Sequence, residues 1–330
     1  MAPLLEAREV RMVFGRARTP AVDCISLAIG GARAGILAVV GESGSGKTTL
    51  TRLLLGFLRP TGGSVWYGGM ELASLRGERR TAFRREVQAI FQDPYEAFNP
   101  FHRIDRTLQM PLRNFRLANS AAEMRAQIEN ALQAVGLRPQ ETLGRHPHQL
   151  SGGQRQRIMI ARALLLQPRI ILAVEPVSMV DASLRATILE SIFRLKTDLG
   201  ISVVYVTHDL ATAYQIADHA VVLYRGRIVE AGTVDAVIGR PMHPYTRLLV
   251  DAVPRPDPDA SWGLEDAPEA THGSASDGCA FAPRCARAMP QCWREAPPLL
   301  RTGPDGAAAC FLYAGEPVVG VGEMTGADEQ

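Results

Sequence analysis

Lysine is nearly absent from this chain: among 36 basic residues only Lys47 and Lys196 are lysines. A lysine inside a glycine-rich turn therefore stands out. Net charge is scarce too. With 34 acidic residues the balance is +2, and charged residues make up only 21% of the chain, which leaves no strong electrostatic case for nucleic acid. No apolar run reaches the ~18 residues that a bilayer-spanning helix needs, so a membrane role would have to come through a partner. The opening Met1-Ala2-Pro3-Leu4-Leu5-Glu6 lacks a basic region followed by an apolar one, and a signal peptide is not expected. Cysteine is sparse as well. Five thiols without an export signal point to metal or catalysis ahead of disulfides. No internal repeat is visible, and 330 residues suffice for one large or two modest domains.

What is present is led by Gly41-Glu42-Ser43-Gly44-Ser45-Gly46-Lys47-Thr48, which matches G-x-x-x-x-G-K-[ST]. The apolar Ile36 to Val40 before it has the length of a strand, and Thr49 to Leu55 after it reads as a helix. Strand, glycine-rich loop and helix N-terminus together make an anion cradle. The glycines turn successive backbone N–H groups onto phosphate oxygens, Lys47 reaches the β- and γ-phosphates, and the Thr48 hydroxyl is placed to ligate Mg²⁺. The pattern predicts a nucleoside-triphosphate site.

Elsewhere the chain alternates between strand and helix. Val10 to Phe14 and Ala21 to Leu27 read as pairing strands. Phe14 is equally readable as a base-stacking ring or a half-buried strand aromatic, and Cys24 as a small core residue. A basic helix is expected over Arg76 to Arg85 and a helical region from about 95 to 165, including Ala121 to Val135, stopped by Gly136 and Pro139. Leu150-Ser151-Gly152-Gly153-Gln154 precedes a helix from Arg155 to Leu166 and offers a second N-terminal anion site. The fully apolar Ile170 to Val174, ending in Glu175-Pro176, suits a buried parallel strand. A helix from Ser183 to Leu199 leads to a second such strand, Ile201 to Thr207, with His208-Asp209 just past its C-terminal end, where active groups of open α/β sheets gather. Val221 to Tyr224 and Ile228 to Glu230 are joined by Arg225-Gly226-Arg227. From Pro254 to about 278 the composition becomes that of a linker, followed by a cysteine segment and a polar tail.

The phosphate loop, Gln92, Leu150 to Gln154, Glu175, Asp181 and His208 occur in the order and spacing of ABC-transporter ATPases, which the chain resembles over about residues 4–250. Phe91-Gln92-Asp93-Pro94 with Asn99-Pro100, then His243-Pro244-Tyr245-Thr246, then the spaced cysteines look like the ATP-binding subunits of oligopeptide/dipeptide importers. The resemblance implies an α/β fold: a P-loop NTPase, ABC-type nucleotide-binding domain over 1–253, with an inserted helical subdomain at about 94–165. A small cysteine-rich C-terminal extension would cover 254–330. It implies ATP held by Phe14, Gly41, Ser43, Gly44, Ser45, Gly46, Lys47, Thr48 and Thr49. Ser151, Gly152, Gly153 and Gln154 would close over the γ-phosphate bound by a partner. Gln92 would sense Mg²⁺ and the attacking water, Glu175 act as general base, His208 contact the γ-phosphate and Asp181 cross the dimer interface. The implied partners are two membrane-spanning permease subunits, a second ATPase subunit and an extracytoplasmic solute-binding protein, with the chain peripheral on the cytoplasmic face of the cell membrane. The cargo would be di- or oligopeptides, with nickel or another small solute as the alternative. A regulatory nucleotide-binding subunit with little turnover is a further alternative. A cassette protein acting on DNA or ribosomes is disfavoured, because neither a second cassette nor a long coiled-coil insertion is present.

Two departures and one motif complete the reading. The family ends its buried strand with Asp-Glu-Pro, whereas this chain has Val174-Glu175-Pro176, and valine cannot ligate a hard cation. Ala34-Gly35 replaces a usual Gly-Glu and should alter only a turn. Cys279, Cys285, Cys292 and Cys310, separated by five, six and seventeen residues, suit a metal centre. The resemblance implies a [4Fe-4S] cluster there, zinc ranks second because no Cys-x₂-Cys occurs, and a disulfide pair ranks third.

Overall fold

The computed structural model describes residues 3–15, 17, 19–31, 33–93, 98–253 and 278–325. Pro94, the linker expected from Pro254 onward and the tail beyond 325 lie outside the described residues. Strands β1 (Leu5–Met12), β2 (Val22–Ile29) and β3 (Ile36–Val40) lead to helix α1 (Lys47–Leu54). Then come β4 (Gly62–Tyr67), β5 (Met70–Glu71), α2 (Gly77–Glu86) and β6 (Val87–Ile90). Helices α3 (Ile104–Asn114), α4 (Ala121–Ala134), α5 (Pro139–Thr142) and α6 (Gly152–Leu164) follow. The chain continues through β7 (Ile170–Val174), α7 (Ala182–Thr197), β8 (Ser202–Thr207), α8 (Leu210–Ile216), β9 (His219–Tyr224) and β10 (Arg227–Thr233). Helix α9 (Pro244–Asp251), β11 (Leu300–Gly303), β12 (Gly306–Ala308) and α10 (Val321–Met324) complete it.

These elements form two compact units. The first comprises Met1–Ala32, Leu37–Ala73 and Thr207–Gln330, the second Arg33–Ile36 and Ser74–Val206. In the first, an antiparallel sheet runs β2-β1-β4-β5, and a second set of strands runs β11-β12-β10-β9-β3. Strand β3 pairs in parallel with β9, and every residue of its Ile-Leu-Ala-Val-Val run is buried. Such a run has no polar face to offer water, so it belongs where both faces of a sheet are covered.

The second unit has strands in the order β8-β7-β6, all parallel. Strands β7 and β8 are buried throughout, as their apolar sequences require. Its helices bury regular stripes: Ile104, Leu108 and Leu112 of α3, and Ile128 and Leu132 of α4, all lie at i, i+4 spacing. Ser120 caps α4 by accepting the Glu123 N–H at 3.1 Å.

The C-terminal segment adds strands to the second set. Its Gly306-Ala307-Ala308 forms β12, which pairs antiparallel with β10 through Glu230↔Ala308, Ala231↔Ala307 and Gly232↔Gly306. A Cβ on Gly232 would lie 2.3 Å from the Asp305 carbonyl oxygen, so the close strand approach requires glycine. Cys24 departs from its expected core position. It is exposed, with φ 56, on a β2 whose pairing with β1 is irregular.

Candidate functional site

In the first unit the phosphate loop connects β3 to α1. Gly44 and Gly46 have φ 81 and 108, and the latter ends the loop as the N-cap of α1. A Cβ at Gly46 would stand 2.5 Å from the Ala21 carbonyl oxygen, and one at Gly41 would stand 2.3 Å from that of Leu223. Only glycine fits at either place. The β9–β10 hairpin supports the loop: Arg225 and Gly226 take φ 46 and 82, as a tight hairpin turn requires, and Gly226 N–H donates to the Ser45 carbonyl at 2.8 Å.

Lys47 is buried, and its ammonium donates to the carbonyls of Gly41 at 2.6 Å and Glu42 at 2.9 Å. Leu50 N–H closes on the Gly46 carbonyl, so the amides of Lys47, Thr48 and Thr49 precede the helical ladder, at the positive end of the helix. Ser45 Oγ is buried without a hydrogen-bond partner. An orphaned hydroxyl beside an ammonium and helix-start amides fits a polyanion, and Ser43, Gly44 and Thr48 lie exposed at the rim. Phe14 lies two residues past β1 and is 46% exposed, so it is outside the strand of the second reading. His208 is exposed just past β8, where Asp209 caps α8 by accepting the N–H groups of Ala211 and Thr212.

The second unit holds the other residues singled out. Gln92 is exposed two residues past β6. Ser151 is the N-cap of α6 in a reciprocal box: its Oγ accepts the Gln154 N–H at 3.2 Å, and Gln154 Oε1 accepts the Ser151 N–H at 2.9 Å. A Cβ on Gly153 would lie 2.8 Å from Leu184 Cδ1, so this glycine lets α6 approach α7. Asp181 is the exposed N-cap of α7.

Glu175 takes φ 44, a left-handed conformation uncommon for a residue with a side chain. It is held there by its N–H on the Val206 carbonyl at 2.7 Å and by the Ser178 hydroxyl on its own carbonyl at 2.9 Å. The backbone turns sharply at the strand end and presents a half-buried carboxylate. Beside it Val174 is buried and paired with Val206. Val174 offers no oxygen to a hard cation.

The expected iron–sulfur or zinc centre is not upheld. Among the described residues no group of three or more His, Cys, Asp or Glu is placed to hold a metal ion. The four cysteines line one cavity of about 10 Å³ together with Phe281, Ala282, Met289 and Phe311. Burial pushes the Cys279 and Cys285 thiols up, and that of Cys310 to about 11. All are free thiols, which also removes the disulfide alternative. Cys292 packs with Ala282 and Phe311 as a core residue, with Cys279 and Met289 against it. Spacing alone could not tell ligation from packing by a small, polarisable side chain.

Loop and strand order define a phosphate-loop nucleoside triphosphatase. Residues 26–178 match the ABC transporter family, and residues 229–292 match the oligopeptide/dipeptide transporter C-terminal region. The chain is 38% identical, over 94% of its own length and 96% of the relative's, to a putative oligopeptide transport ATP-binding protein of Bacillus subtilis, YkfD. It is 40% identical to the oligopeptide transport ATP-binding protein OppF of Escherichia coli, over 80% of each chain. Among solved structures, the dimeric cassette MJ0796 superposes with TM-score 0.61 at 27% identity, over 70% of this chain and 98% of that one. The cbiO1 subunit from Clostridium perfringens gives 0.65 at 23%, over 73% and 92%, and speaks to the fold alone. The chain therefore belongs to the ABC-transporter ATP-binding subunits of the oligopeptide/dipeptide family, and is an ATPase of that class. Sequence reasoning missed Glu42, Tyr245 and Arg284 as a connected group; the His-Pro-Tyr-Thr motif was the signal that could have led to it.

Proposed function

We propose that this chain binds ATP·Mg²⁺ at Lys47 and drives import of di- or oligopeptides through membrane-spanning partner subunits. The carrying observation is the phosphate loop: a buried ammonium, an orphaned Ser45 hydroxyl and helix-start amides meeting on glycines that nothing larger could replace. Ser43 to Thr49 take the phosphates and Phe14 stacks on the base. Thr48 and Gln92 would hold Mg²⁺, which would supply positive charge to offset that of the phosphates. Glu175 accepts the proton of the attacking water, and His208 donates to the γ-phosphate. Ser151, Gly152, Gly153 and Gln154 close over the nucleotide of a second ATPase subunit, with Asp181 at that interface. The cassette at 1–253 and the extension at 254–330 act together.

Peptide cargo, two permease subunits and an external solute-binding protein follow from the peptide-transport names of the relatives. Among the described residues no helix is long and apolar enough to cross a membrane. A place on the cytoplasmic face, beside the permease subunits, belongs to the same reading. Val174 marks the chain's own site as slow, leaving most turnover to the partner's site.

Equilibrium titration of the full-length chain with a fluorescent ATP analogue and Mg²⁺ tests the site. Lys47→Ala should weaken binding by more than about tenfold, since an ion pair with desolvated phosphate is lost. Unchanged affinity would refute the assignment. For the cargo, cells lacking this chain should fail to accumulate a labelled tripeptide and recover on complementation; undiminished uptake refutes peptide import.

A further inference from the structure

The His243-Pro244-Tyr245-Thr246 segment has no part in the chemistry above, yet it lies against the phosphate loop. Glu42, the loop's second residue, is held at three points. Its N–H donates to Tyr245 Oη at 2.9 Å. Its carbonyl accepts from Lys47 Nζ at 2.9 Å. Its carboxylate accepts both Nη groups of Arg284, at 3.1 and 3.2 Å, across 242 residues of sequence. A two-pronged guanidinium–carboxylate pair fixes orientation as well as charge.

Both partners are themselves held. Tyr245 is fully buried, its ring centroid 4.5 Å from that of Tyr224 and 5.5 Å from that of Phe281. Its own N–H donates to His243 Nδ1 at 3.1 Å, and Glu230 on β10 accepts the N–H groups of Met242 at 2.7 Å and His243 at 3.1 Å. The Arg284 guanidinium sits 5.9 Å from the Tyr224 ring centroid and 5.8 Å from that of Phe281. Glu42 is the acidic member of a loop built to take a polyanion, and an uncompensated carboxylate there opposes phosphate binding.

We propose that Tyr245 and Arg284 are positioning residues for the nucleotide. Tyr245 fixes the loop backbone at Glu42, and Arg284 cancels that residue's charge, so ATP affinity depends on the C-terminal segment. The proposal rests on the phosphate loop being the ATP site.

The test is titration of full-length variants with a fluorescent ATP analogue and Mg²⁺, with melting curves alongside. Tyr245→Phe keeps the ring in its cage and loses only the acceptor for Glu42 N–H. It should weaken binding about three- to tenfold while melting close to wild type, the scale of one lost hydrogen bond. Arg284→Met should weaken binding by a similar factor in low salt, with the loss shrinking as salt rises from roughly 0.05 to 0.5 M. Arg284→Lys should keep most of the affinity. The decisive variant is Glu42→Gln combined with Arg284→Met, which removes both charges and should return affinity to within about twofold of wild type. Wild-type affinity in Arg284→Met and Tyr245→Phe overturns the proposal, as does a loss in Arg284→Met that Glu42→Gln leaves unrelieved. Lys47→Ala separates the two readings. If it binds as wild type, the ATP site is misassigned; if it loses binding while the other variants keep theirs, only the positioning role falls.

Discussion

At position 174 a valine, 9% exposed, ends β7 one residue before Glu175. A branched hydrocarbon there packs as well as any core residue, so the fold gives no reason to exclude it; its consequence is chemical. The carboxylate that the family places at this strand end supports Mg²⁺, and loss of a supporting group around a metal costs about 10–100-fold in affinity or activity. Glu175 itself is kept in a left-handed conformation by two hydrogen bonds. Val174→Asp should therefore raise the Mg²⁺-dependent ATPase rate of the complex, or its Mg²⁺ affinity. The same substitution buries a carboxylate, so the variant should melt below wild type in chelator and recover with Mg²⁺ and ATP. If neither rate nor Mg²⁺ affinity moves, the idea of a weakened site is removed.

Strand β10 and the N-cap of α9 each carry a buried titratable group, Glu230 and His243, with opposite shifts. Burial pushes the Glu230 carboxyl up to about 7, against the N–H groups of Met242 and His243 and the charge of Arg247, which work the other way. Burial pushes His243 down to about 4. A carboxyl raised on folding contributes stability below its unfolded value and loses it as pH climbs to 7. A histidine lowered on folding contributes stability above its unfolded value and loses it as pH falls towards 4. Between about 4.5 and 6.5 the two slopes oppose each other, each roughly 1.4 kcal/mol per pH unit. His243→Asn keeps a good helix cap and removes one slope. Its unfolding free energy relative to wild type should fall as pH rises across that window, by up to about 3 kcal/mol. Glu230→Gln should show the opposite trend. Urea unfolding at stepped pH measures both, and parallel curves would deny that either group is shifted.

Some elements announce themselves in the sequence and others do not. β3, β7 and β8 were legible because uninterrupted apolar runs have only a buried parallel strand to occupy, and α6 because serine, two glycines and glutamine announce a capped helix start. β12 was not legible. Gly306-Ala307-Ala308 has little strand preference of its own and becomes one by pairing with β10. The hold on Glu42 joins residues 203 and 242 positions apart, a distance that no local pattern encodes.

In an assembled transporter each nucleotide would be held by one chain's phosphate loop and the other chain's capped helix, so a substitution in this chain acts at different sites depending on where it falls. On the proposed function Lys47 would serve this chain's own nucleotide. Ser151 serves the partner's. If turnover is concentrated at the partner's site, Ser151 variants should silence the complex while Lys47 variants leave most hydrolysis in place. The obstacle to reading Ser151→Ala is that the hydroxyl also caps α6, and losing a cap costs about 1 kcal/mol of stability by itself. Ser151→Asp avoids this. Aspartate caps a helix as well as serine does but sets a negative charge against the partner's γ-phosphate. Ser151→Asp should therefore melt like wild type, while ATPase activity of the purified complex falls by about tenfold or more, the cost of like charges meeting in a closed site. Lys47→Ala should retain at least roughly half the rate, because it spares the working site. Adding Val174→Asp should make hydrolysis sensitive to Lys47 as well. Equal losses from Lys47→Ala and Ser151→Asp in the Val174 protein would mean that both sites turn over alike, and the asymmetry would be abandoned.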